Sequence, residues 1–216
     1  MNELTKQNVA DMVRHIREKI EENKSFLSKL DTEIGDGDHG FSMAGGFTSF
    51  LNKIEEYSEL DIGTLLKKGG FELIKTIGGA AGAVFGTFFT GQASYYDKNL
   101  QGKESIDLSD LAGMINEALE QIKKRGMAQQ GDKTMVDALQ PASEELGRAA
   151  REGASLPEAL QRASEKAKEG AESTRNMVAK RGRARNLGER GKGYMDPGAM
   201  STALIFEAMS EYVSQN

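Results

Sequence analysis

The sequence predicts an all-α protein folded as a single domain. Apolar residues recur along the chain at the three- and four-residue spacing of one helix face. No stretch alternates apolar and polar residues as a half-buried strand would, and no hairpin dipeptide joins two such stretches. The 216 residues include only three prolines and no long Pro- or Ser-rich linker. We therefore expect about eight helices in one domain that spans residues 1–216.

The first four helices follow from this spacing. The first is expected over residues 9–30, up to an acidic turn, and the second from about Phe41 to Glu56. Asp61 suits the N-cap of the third helix, because its side-chain oxygen can accept a hydrogen bond from a free amide of the first turn. The fourth is expected over residues 79–96. The apolar positions behind these assignments are Val9, Met12, Val13, Ile16, Ile20, Phe26, Leu27 and Leu30, then Ile62, Leu65, Leu66, Phe71, Leu73 and Ile74, and then Val84, Phe85, Phe88 and Phe89.

The last four helices are indicated by caps as well as by spacing. The fifth begins at Asp107, and the sixth runs from Thr134 to about Glu152. Ser155 begins the seventh, with Pro in its first turn and Glu three residues after the cap. Alanine then recurs at every fourth position of this helix, which predicts close packing against a neighbour. Asp196-Pro197 begins the eighth, in which Met200, Leu204, Ile205, Met209 and Val213 are expected to be buried.

The composition excludes several classes of protein. Charged residues make up 28% of the chain and the net charge is −5, so nothing marks it as a nucleic-acid-binding protein. The absence of cysteine excludes disulfides, zinc–thiolate sites and thiol nucleophiles, and fits a reducing cytoplasm. The polar N-terminus lacks the apolar core of a signal peptide, and the most apolar run, residues 77–90, is too short to span a bilayer. We expect a cytoplasmic protein without nucleic-acid or membrane partners.

The acidic turn at residues 31–40 is the most informative segment. It holds Asp31, Asp36 and Asp38 among three glycines, which let the chain bend tightly enough for the carboxylates to converge. An isolated Asp-Gly-Asp is more often an ordinary surface turn. Here Glu33 adds a further acid, no Lys or Arg lies between residues 30 and 52, and glycine-rich segments recur downstream. Because carboxylate oxygens suit Mg²⁺, which keeps positions open for water and phosphate, we predict a magnesium site.

Two glycine patterns imitate nucleotide motifs of other folds. Gly35-x-Gly37-x-x-Gly40 matches the dinucleotide fingerprint, and residues 126–134 match a P-loop with one inserted aspartate. Both motifs require a preceding strand, which the sequence does not predict, so both are rejected. The second segment still leads into a helix, whose N-terminus can bind phosphate. Plain capping by Asp132 or Thr134 explains that segment equally well.

Three other features point to an anionic ligand, each with a structural alternative. Residues 78–82, Gly-Gly-Ala-Ala-Gly, lead into a helix and let either phosphate or a neighbouring helix approach the backbone. Residues 175–192 hold seven basic residues against one acid, which indicates either a solvated loop or anion capture. His39 lies at a helix start where its ring or N–H can reach a phosphate, whereas His15 is expected at a surface or an interface. Without cysteine or a pair of histidines, a zinc site is not expected.

These motifs together resemble the L subunit of bacterial dihydroxyacetone kinase, its nucleotide-binding component, over essentially the whole chain. The resemblance rests on D-T-E-I-G-D-G-D-H-G at 31–40, G-G-A-A-G at 78–82, G-D-K-T-M at 131–135, R-G-R-A-R-N-L-G-E-R-G at 181–191 and D-P-G-A at 196–199. Five motifs in the family's order are specific, although each alone is weak. The resemblance implies an antiparallel eight-helix barrel with ADP or ATP at one end.

The resemblance also assigns site residues. It implies that Asp31, Asp36 and Asp38 bind two Mg²⁺ ions that bridge the nucleotide phosphates, and that Arg183 lies in a loop covering the nucleotide. The positions that match the phosphate site are His39, Gly40, Phe41, Ser42, Ala80, Ala81 and Thr134. Those that match the adenosine wall are Gly126, Met135, Asp196, Pro197 and Gly198.

The chain departs from the family pattern in two places. Ala81 stands where the family usually has Ser, so a hydroxyl contact to phosphate, worth ~1 kcal/mol, is absent. Arg185 and Asn186 stand where Ser and Tyr are usual, which alters the surface offered to a partner.

The resemblance implies a kinase subunit that passes a phosphoryl group to dihydroxyacetone held by a separate K subunit. In one version a phosphotransferase-system carrier, the M subunit, rephosphorylates the bound ADP, and in the other ATP exchanges from solution. Alternatives are another short ketose such as erythrulose, a nucleotide domain of the fatty acid kinase type, and a helical interaction module with a structural metal. Members of the family are monomers or dimers, so a homodimer is left open.

Overall fold

The computed structural model describes residues 1–55 and 61–216, and its long helices confirm the all-α prediction. Two short 3-10 helices, Thr174–Asn176 and Arg183–Gly191, lie in the segment between the last two α-helices. The eight α-helices of the described residues are α1 (Lys6–Ile34), α2 (His39–Glu55), α3 (Ile62–Ile77), α4 (Gly79–Asn99), α5 (Leu108–Gly126), α6 (Val136–Glu152), α7 (Leu156–Ser173) and α8 (Pro197–Gln215).

The helices close into a barrel. Each packs against the next in the chain, and α8 packs against α1 to complete the ring. Neighbouring helices run in opposite directions, so α1, α3, α5 and α7 end at the same side where α2, α4, α6 and α8 begin. We call this side the acid end, because it carries the turn at residues 31–40. The predicted antiparallel eight-helix barrel is confirmed.

The two ends of the barrel differ in how their helices begin. At the far end the side chains of Thr5, Asp61, Asp107 and Ser155 each accept a hydrogen bond from a first-turn amide of α1, α3, α5 and α7. At the acid end, α4 and α6 have no side-chain hydrogen bond at their N-caps. Helix N-termini carry partial positive charge and unpaired N–H groups. Asp196 caps α8 at this end, so it is the uncapped start of α4, where Ala80 is exposed, that presents free donors suited to an anion.

Small residues set the close packing behind the acid end. A Cβ at Gly70 on α3 would lie 2.8 Å from the carbonyl oxygen of Gly86 on α4, and a Cβ at Gly86 would lie 2.6 Å from that of Gly70. Such contacts require glycine, because the opposing atoms are backbone and cannot rotate away. The alanines of α7 at 159, 163, 167 and 171 are fully buried, which confirms the predicted close-packing face.

The structure differs from the sequence prediction in three respects. The first helix extends beyond residue 30 to Ile34 and so includes Asp31 and Glu33. It ends at Gly35, whose N–H donates to the Asp31 carbonyl. Phe26 and Phe71, predicted to be buried, are exposed because the barrel leaves one side of α1 and α3 facing solvent. Two antiparallel strands, Leu4–Thr5 and Ser105–Ile106, were not predicted, since two residues are too few to show alternation. The predicted second helix corresponds to α2, and its predicted end, Glu56, lies outside the described residues.

The hydropathy of the helices bears on membrane association. Across residues 1–55 and 61–216, none of the helices combines the length and the apolar character needed to cross a bilayer.

Candidate functional site

The three aspartates of the acidic turn converge. Asp31 lies in the last turn of α1, Asp36 in the connection, and Asp38 directly before α2. One oxygen of each carboxylate lies within 4.8 Å of an oxygen of both others. Like charges at this separation repel, so a cation bound among the three carboxylates would be stabilised by them. Asp36 and Asp38 are exposed, which leaves their oxygens open to a ligand from solvent.

Backbone groups fix Asp31 at the base of this cluster. Its Oδ2 accepts hydrogen bonds from the N–H of Gly37 at 2.9 Å and of His39 at 3.2 Å. Its Oδ1 lies over the α-carbon of Gly35, where a Cβ would come within 2.1 Å of that oxygen. Gly37 has a φ of +80°, in the left-handed region that favours glycine. The two glycines therefore shape the connection around one carboxylate.

The basic loop, residues 175–192, reaches this cluster. The guanidinium of Arg183 forms an ion pair with the Asp36 carboxylate. Ile34 at the end of α1 packs in a small apolar cluster with Ala179 and Ala184 of the loop. Between the loop and the turn lies a cavity of about 370 Å³, which is lined by Thr32, Glu33, Ile34, Gly35, Asp36, Arg183, Asn186 and Leu187. Arg185 is exposed beside it.

His39 is engaged within the protein, and its expected contact with a phosphate stays a prediction. Its ring Nε2 lies 2.8 Å from the Ser201 hydroxyl on α8, and its backbone N–H donates to Asp31. Burial lowers the pKa of His39 to about 4, so the ring is neutral near pH 7. The histidine therefore links the start of α2 to the start of α8. His15 lies at an interface within the barrel, with Nε2 3.3 Å from Glu211 Oε2 on α8.

The residues that follow His39 divide into buried and open positions. Gly40 is buried where α2 crosses α1, since a Cβ there would lie 1.9 Å from the Lys24 carbonyl oxygen. Its N–H donates to the Ser28 hydroxyl, so this glycine is explained by helix packing. Phe41 is exposed and Ser42 is half-buried, so these two side chains face the solvent side of the turn.

The turn before α4 is open. Gly78 and Gly79 have φ values of +68° and +55°, and a Cβ at either would meet no atom within 4 Å. Ala80 is exposed and Ala81 is half-buried. The backbone here is accessible to an anion, as predicted, whereas the close-packing alternative applies to the next glycine, Gly82, whose Cβ would lie 3.1 Å from the Ile74 carbonyl oxygen.

The turn that leads into α6 is organised mainly by a residue that the sequence did not reveal. The carboxylate of Asp137 accepts hydrogen bonds from the N–H groups of Gly131 at 2.5 Å and Thr134 at 2.7 Å. Burial raises the pKa of Asp137. Thr134 Oγ1 accepts from the Val136 N–H at 3.2 Å, and Asp132 instead accepts from the Gln129 N–H at 3.1 Å. The expected capping by Asp132 is therefore wrong for α6, and that by Thr134 is weak.

The starts of α6 and α8 adjoin each other. A Cβ at Gly198 would lie 3.8 Å from Met135 Cβ and 3.1 Å from Asp196 Oδ2. Asp196 caps α8 by accepting the Ala199 N–H at 2.7 Å, and Pro197 is buried in the first turn. Burial raises the pKa of Asp196 to about 7, and the negative charge of Asp31 adds to that rise. The start of α8 is thus close enough to the acid cluster for the charge of Asp31 to affect the pKa of Asp196.

Gly126 completes the predicted set. It is the last residue of α5, and a Cβ there would lie 3.8 Å from Ala128 and 4.0 Å from Val84 of α4. The following Met127 takes a left-handed conformation with φ +46° and is exposed. All the predicted site residues therefore lie at the acid end, on α1, α2, α4, α5, α6, α8 and the basic loop.

Lys133 is a second residue that sequence reasoning missed. Its side chain is buried and its Nζ donates to the carbonyl oxygens of Thr174, Gly191 and Tyr194. Burial lowers the pKa of Lys133. A lysine in a polar turn gives no apolar signal of burial, so only the fold reveals this position.

Comparison with known proteins places the chain among phosphotransferases. The DAK2 domain matches residues 33–211. The PEP-dependent dihydroxyacetone kinase ADP-binding subunit of Escherichia coli is 40% identical over 185 residues, which cover 86% of each chain. The PTS-dependent dihydroxyacetone kinase ADP-binding subunit of Lactococcus lactis is 35% identical, covering 98% of this chain and all of that one. The crystal structure of dihydroxyacetone kinase from C. freundii in complex with AMP-PNP and Mg²⁺ has a TM-score of 0.72 at 29% identity, covering 94% of this chain and 33% of that chain.

Proposed function

The chain belongs to the DAK2 domain family, and from this premise we propose that it is the ADP-binding subunit of a phosphoenolpyruvate-dependent dihydroxyacetone kinase. Residues 1–216 would then act as one nucleotide-binding domain, with ADP or ATP held at the acid end of the barrel. One observation carries the proposal. The oxygens of three carboxylates come within 4.8 Å of each other on the side of the barrel where four helices begin.

The donor set fits magnesium. Three hard carboxylate oxygens without nitrogen or sulfur ligands suit Mg²⁺, and the exposure of two of them leaves room for water and phosphate oxygens. Asp31, Asp36 and Asp38 would hold two ions, with Asp31 kept in place by the Gly37 and His39 amides. Bound magnesium would neutralise the phosphate charge that grows during phosphoryl transfer.

The protein would contribute position and charge. The open turn before α4 offers backbone N–H groups at Ala80 and Ala81. The turn before α6 offers the Thr134 hydroxyl, since the Thr134 N–H already donates to Asp137. Arg183, which now neutralises Asp36, would turn to the phosphates, because its long side chain is exposed. Preorganised donors of this kind stabilise charge in the transition state without reorganising.

The remaining wall would bind adenosine. Met135, Gly198 and Asp196 adjoin each other, and Pro197 is buried beside them. Gly126 at the end of α5 would face the same space. In this arrangement the adenine would lie among α5, α6 and α8, and the phosphates would point to the aspartates at the end of α1 and in its connection to α2.

The acceptor sugar would come from a partner. The acid end has donors for an anion and carboxylates for a metal, and we assign it no sugar-binding residue. We propose that a separate K subunit holds dihydroxyacetone and docks over this end, and that a phosphotransferase-system M subunit rephosphorylates the bound ADP. The names of the E. coli and L. lactis relatives support this version over exchange of free ATP. Another ketose such as erythrulose stays an alternative, because the partner would select the sugar.

An Asp36→Asn variant tests the assignment. Asp36 is exposed, so the fold should survive while one magnesium ligand loses its charge. We expect ADP affinity in millimolar Mg²⁺ to fall at least about tenfold, measured by isothermal titration. Glu22→Gln, an exposed acid-to-amide change on α1, is the matched control and should bind normally. Unchanged, magnesium-dependent ADP binding in Asp36→Asn would sink the assignment.

A further inference from the structure

Lys133 is buried in an unusual way. Only 1% of the residue is exposed, and its ammonium donates to three backbone carbonyl oxygens, those of Thr174 at 2.8 Å, Gly191 at 3.0 Å and Tyr194 at 2.5 Å. An ammonium has three donors, so this geometry uses all of them. Its backbone has a φ of +60°, a conformation disfavoured for lysine. A lysine held in a costly backbone conformation indicates that the contacts of its side chain matter.

The three carbonyls belong to the two ends of the basic loop. Thr174 precedes the loop, and Gly191 and Tyr194 lie at or beyond its far end. We call the place where these two ends meet the neck of the loop. Two further hydrogen bonds join the ends there: the Gly193 N–H donates to the Arg175 carbonyl at 2.8 Å, and the Asp196 N–H donates to the Thr174 hydroxyl at 2.9 Å. Lys133 therefore ties the incoming and outgoing chain together at the base of the loop.

The preceding residue holds the loop at a second point. Asp132 is 2% exposed, and its carbonyl oxygen accepts the Lys180 N–H at 3.0 Å. Its Oδ1 lies 3.1 Å from Lys180 Nζ, and its Oδ2 lies 3.6 Å from Arg181 Nε. Two residues beyond Arg181, Arg183 reaches the acid cluster. The loop is thus held at three points. Lys133 holds its neck, the adjacent Asp132 holds its middle, and the ion pair of Arg183 with Asp36 holds its tip.

We propose that Asp132 and Lys133 form a clamp that holds the basic loop over the acid cluster and so sets how slowly a bound nucleotide leaves. Both are positioning residues, since they act through the loop. The nucleotide part rests on the proposed function. Without the Lys133 ammonium, three carbonyls in the neck lose a charged donor, although that of Thr174 keeps the Met177 N–H, and the loop gains freedom by opening toward water. The proposed magnesium ligands, Asp31 on α1 and Asp36 and Asp38 in the connection to α2, are untouched by this change.

Trypsin tests the clamp without any nucleotide. The loop carries seven basic residues, at 175, 180, 181, 183, 185, 190 and 192, so its opening exposes many cleavage sites. In Lys133→Met we expect cleavage within residues 175–192 to accelerate at least about tenfold, while the helices stay intact. Lys166→Met, at a half-exposed lysine of α7, is the matched control and should cleave as the wild type does. Asp132→Asn should show a smaller acceleration and serves if Lys133→Met does not fold.

A buried substitution also lowers stability, so a second control separates the two effects. Leu160→Ala on α7 removes a fully buried side chain far from the loop contacts. Loop cleavage that accelerates as much in Leu160→Ala as in Lys133→Met would assign the effect to general destabilisation and overturn the clamp. Unchanged cleavage in a folded clamp variant would overturn it as well.

The dissociation rate of ADP supplies the second readout. In saturating Mg²⁺ we expect Lys133→Met to release a fluorescent ADP analogue at least about tenfold faster, with its magnesium dependence retained. An unchanged rate in a variant whose loop is cleaved faster would refute the link to nucleotide release. If the wild type binds no nucleotide, the proposed function falls, and the trypsin comparison alone decides the clamp.

Discussion

Gly35→Ala probes the acid cluster without removing a carboxylate. The new Cβ would lie 2.1 Å from Asp31 Oδ1 and 3.0 Å from Asp31 Cγ, so the carboxylate must move. Moving it breaks two hydrogen bonds to Oδ2, from the Gly37 and His39 amides. Hydrogen bonds to charged groups contribute roughly 1.5–3 kcal/mol each, so displacing Asp31 costs about 3 kcal/mol or more. If the Asp31 carboxylate must return to its observed position before magnesium–ADP binds, that cost lowers the affinity for ADP about 100-fold.

The assay is titration of ADP in the presence of Mg²⁺, with thermal unfolding measured in parallel. Gly45→Ala on α2 is the matched control, because a Cβ there meets nothing within 4 Å. It should leave binding unchanged and raise helix stability by roughly 0.5–1 kcal/mol. A Gly35→Ala protein that binds magnesium–ADP within about twofold of wild type would refute the reasoning that Asp31 must occupy its observed position.

Three further predictions follow from the site. Ala81→Ser should restore a hydroxyl near the phosphates and tighten ADP binding up to about fivefold, since a neutral hydrogen bond contributes ~1 kcal/mol; weaker binding by titration would contradict it. Gly170→Ala should lower the midpoint of thermal unfolding by several degrees, because its Cβ would lie 2.1 Å from the Asp137 carbonyl oxygen, and an unchanged midpoint would contradict the packing. Burial raises the pKa of Asp196 in the folded protein to about 7, from an ordinary value of 3.8. The folded state therefore keeps this proton to higher pH than the unfolded state, and it loses stability as pH rises between these two values. In EDTA, the free energy of unfolding of the wild type should fall by up to about 4 kcal/mol relative to that of Asp196→Asn between pH 4 and 8. A difference between the two proteins that stays constant over this range would contradict the raised pKa.

Much of the fold was predictable from local chemistry. Apolar spacing and the caps Asp61, Asp107 and Ser155 locate helices because both act within one or two turns. The closure of the barrel is not local, and it was expected only through the family resemblance. The end of α1 was misplaced because an acidic composition was taken as a turn, whereas Asp31 is helical and the turn begins at Gly35.

The candidate site was predictable in its acids and less so in its supports. Three aspartates within a few residues must lie near each other, so the sequence alone indicated the cluster. Lys133 and Asp137 resemble ordinary turn residues, and their roles depend on carbonyls and amides that the fold brings to them. The contact of the His39 ring with Ser201 could not be foreseen for the same reason, because Ser201 lies 162 residues further along the chain. The contact of Arg183 with Asp36 likewise depends on the path of the basic loop.

The most direct test of a magnesium–nucleotide site at the acid end is the nucleotide content of the purified protein. The protein is denatured with and without prior EDTA treatment, and the released nucleotide is identified by chromatography. We expect close to one ADP per chain from untreated protein and its loss after EDTA, because in the proposed site three repelling carboxylates would hold the nucleotide phosphates only through magnesium. Protein that releases no nucleotide, and that binds neither ADP nor ATP when magnesium is added, would contradict the account.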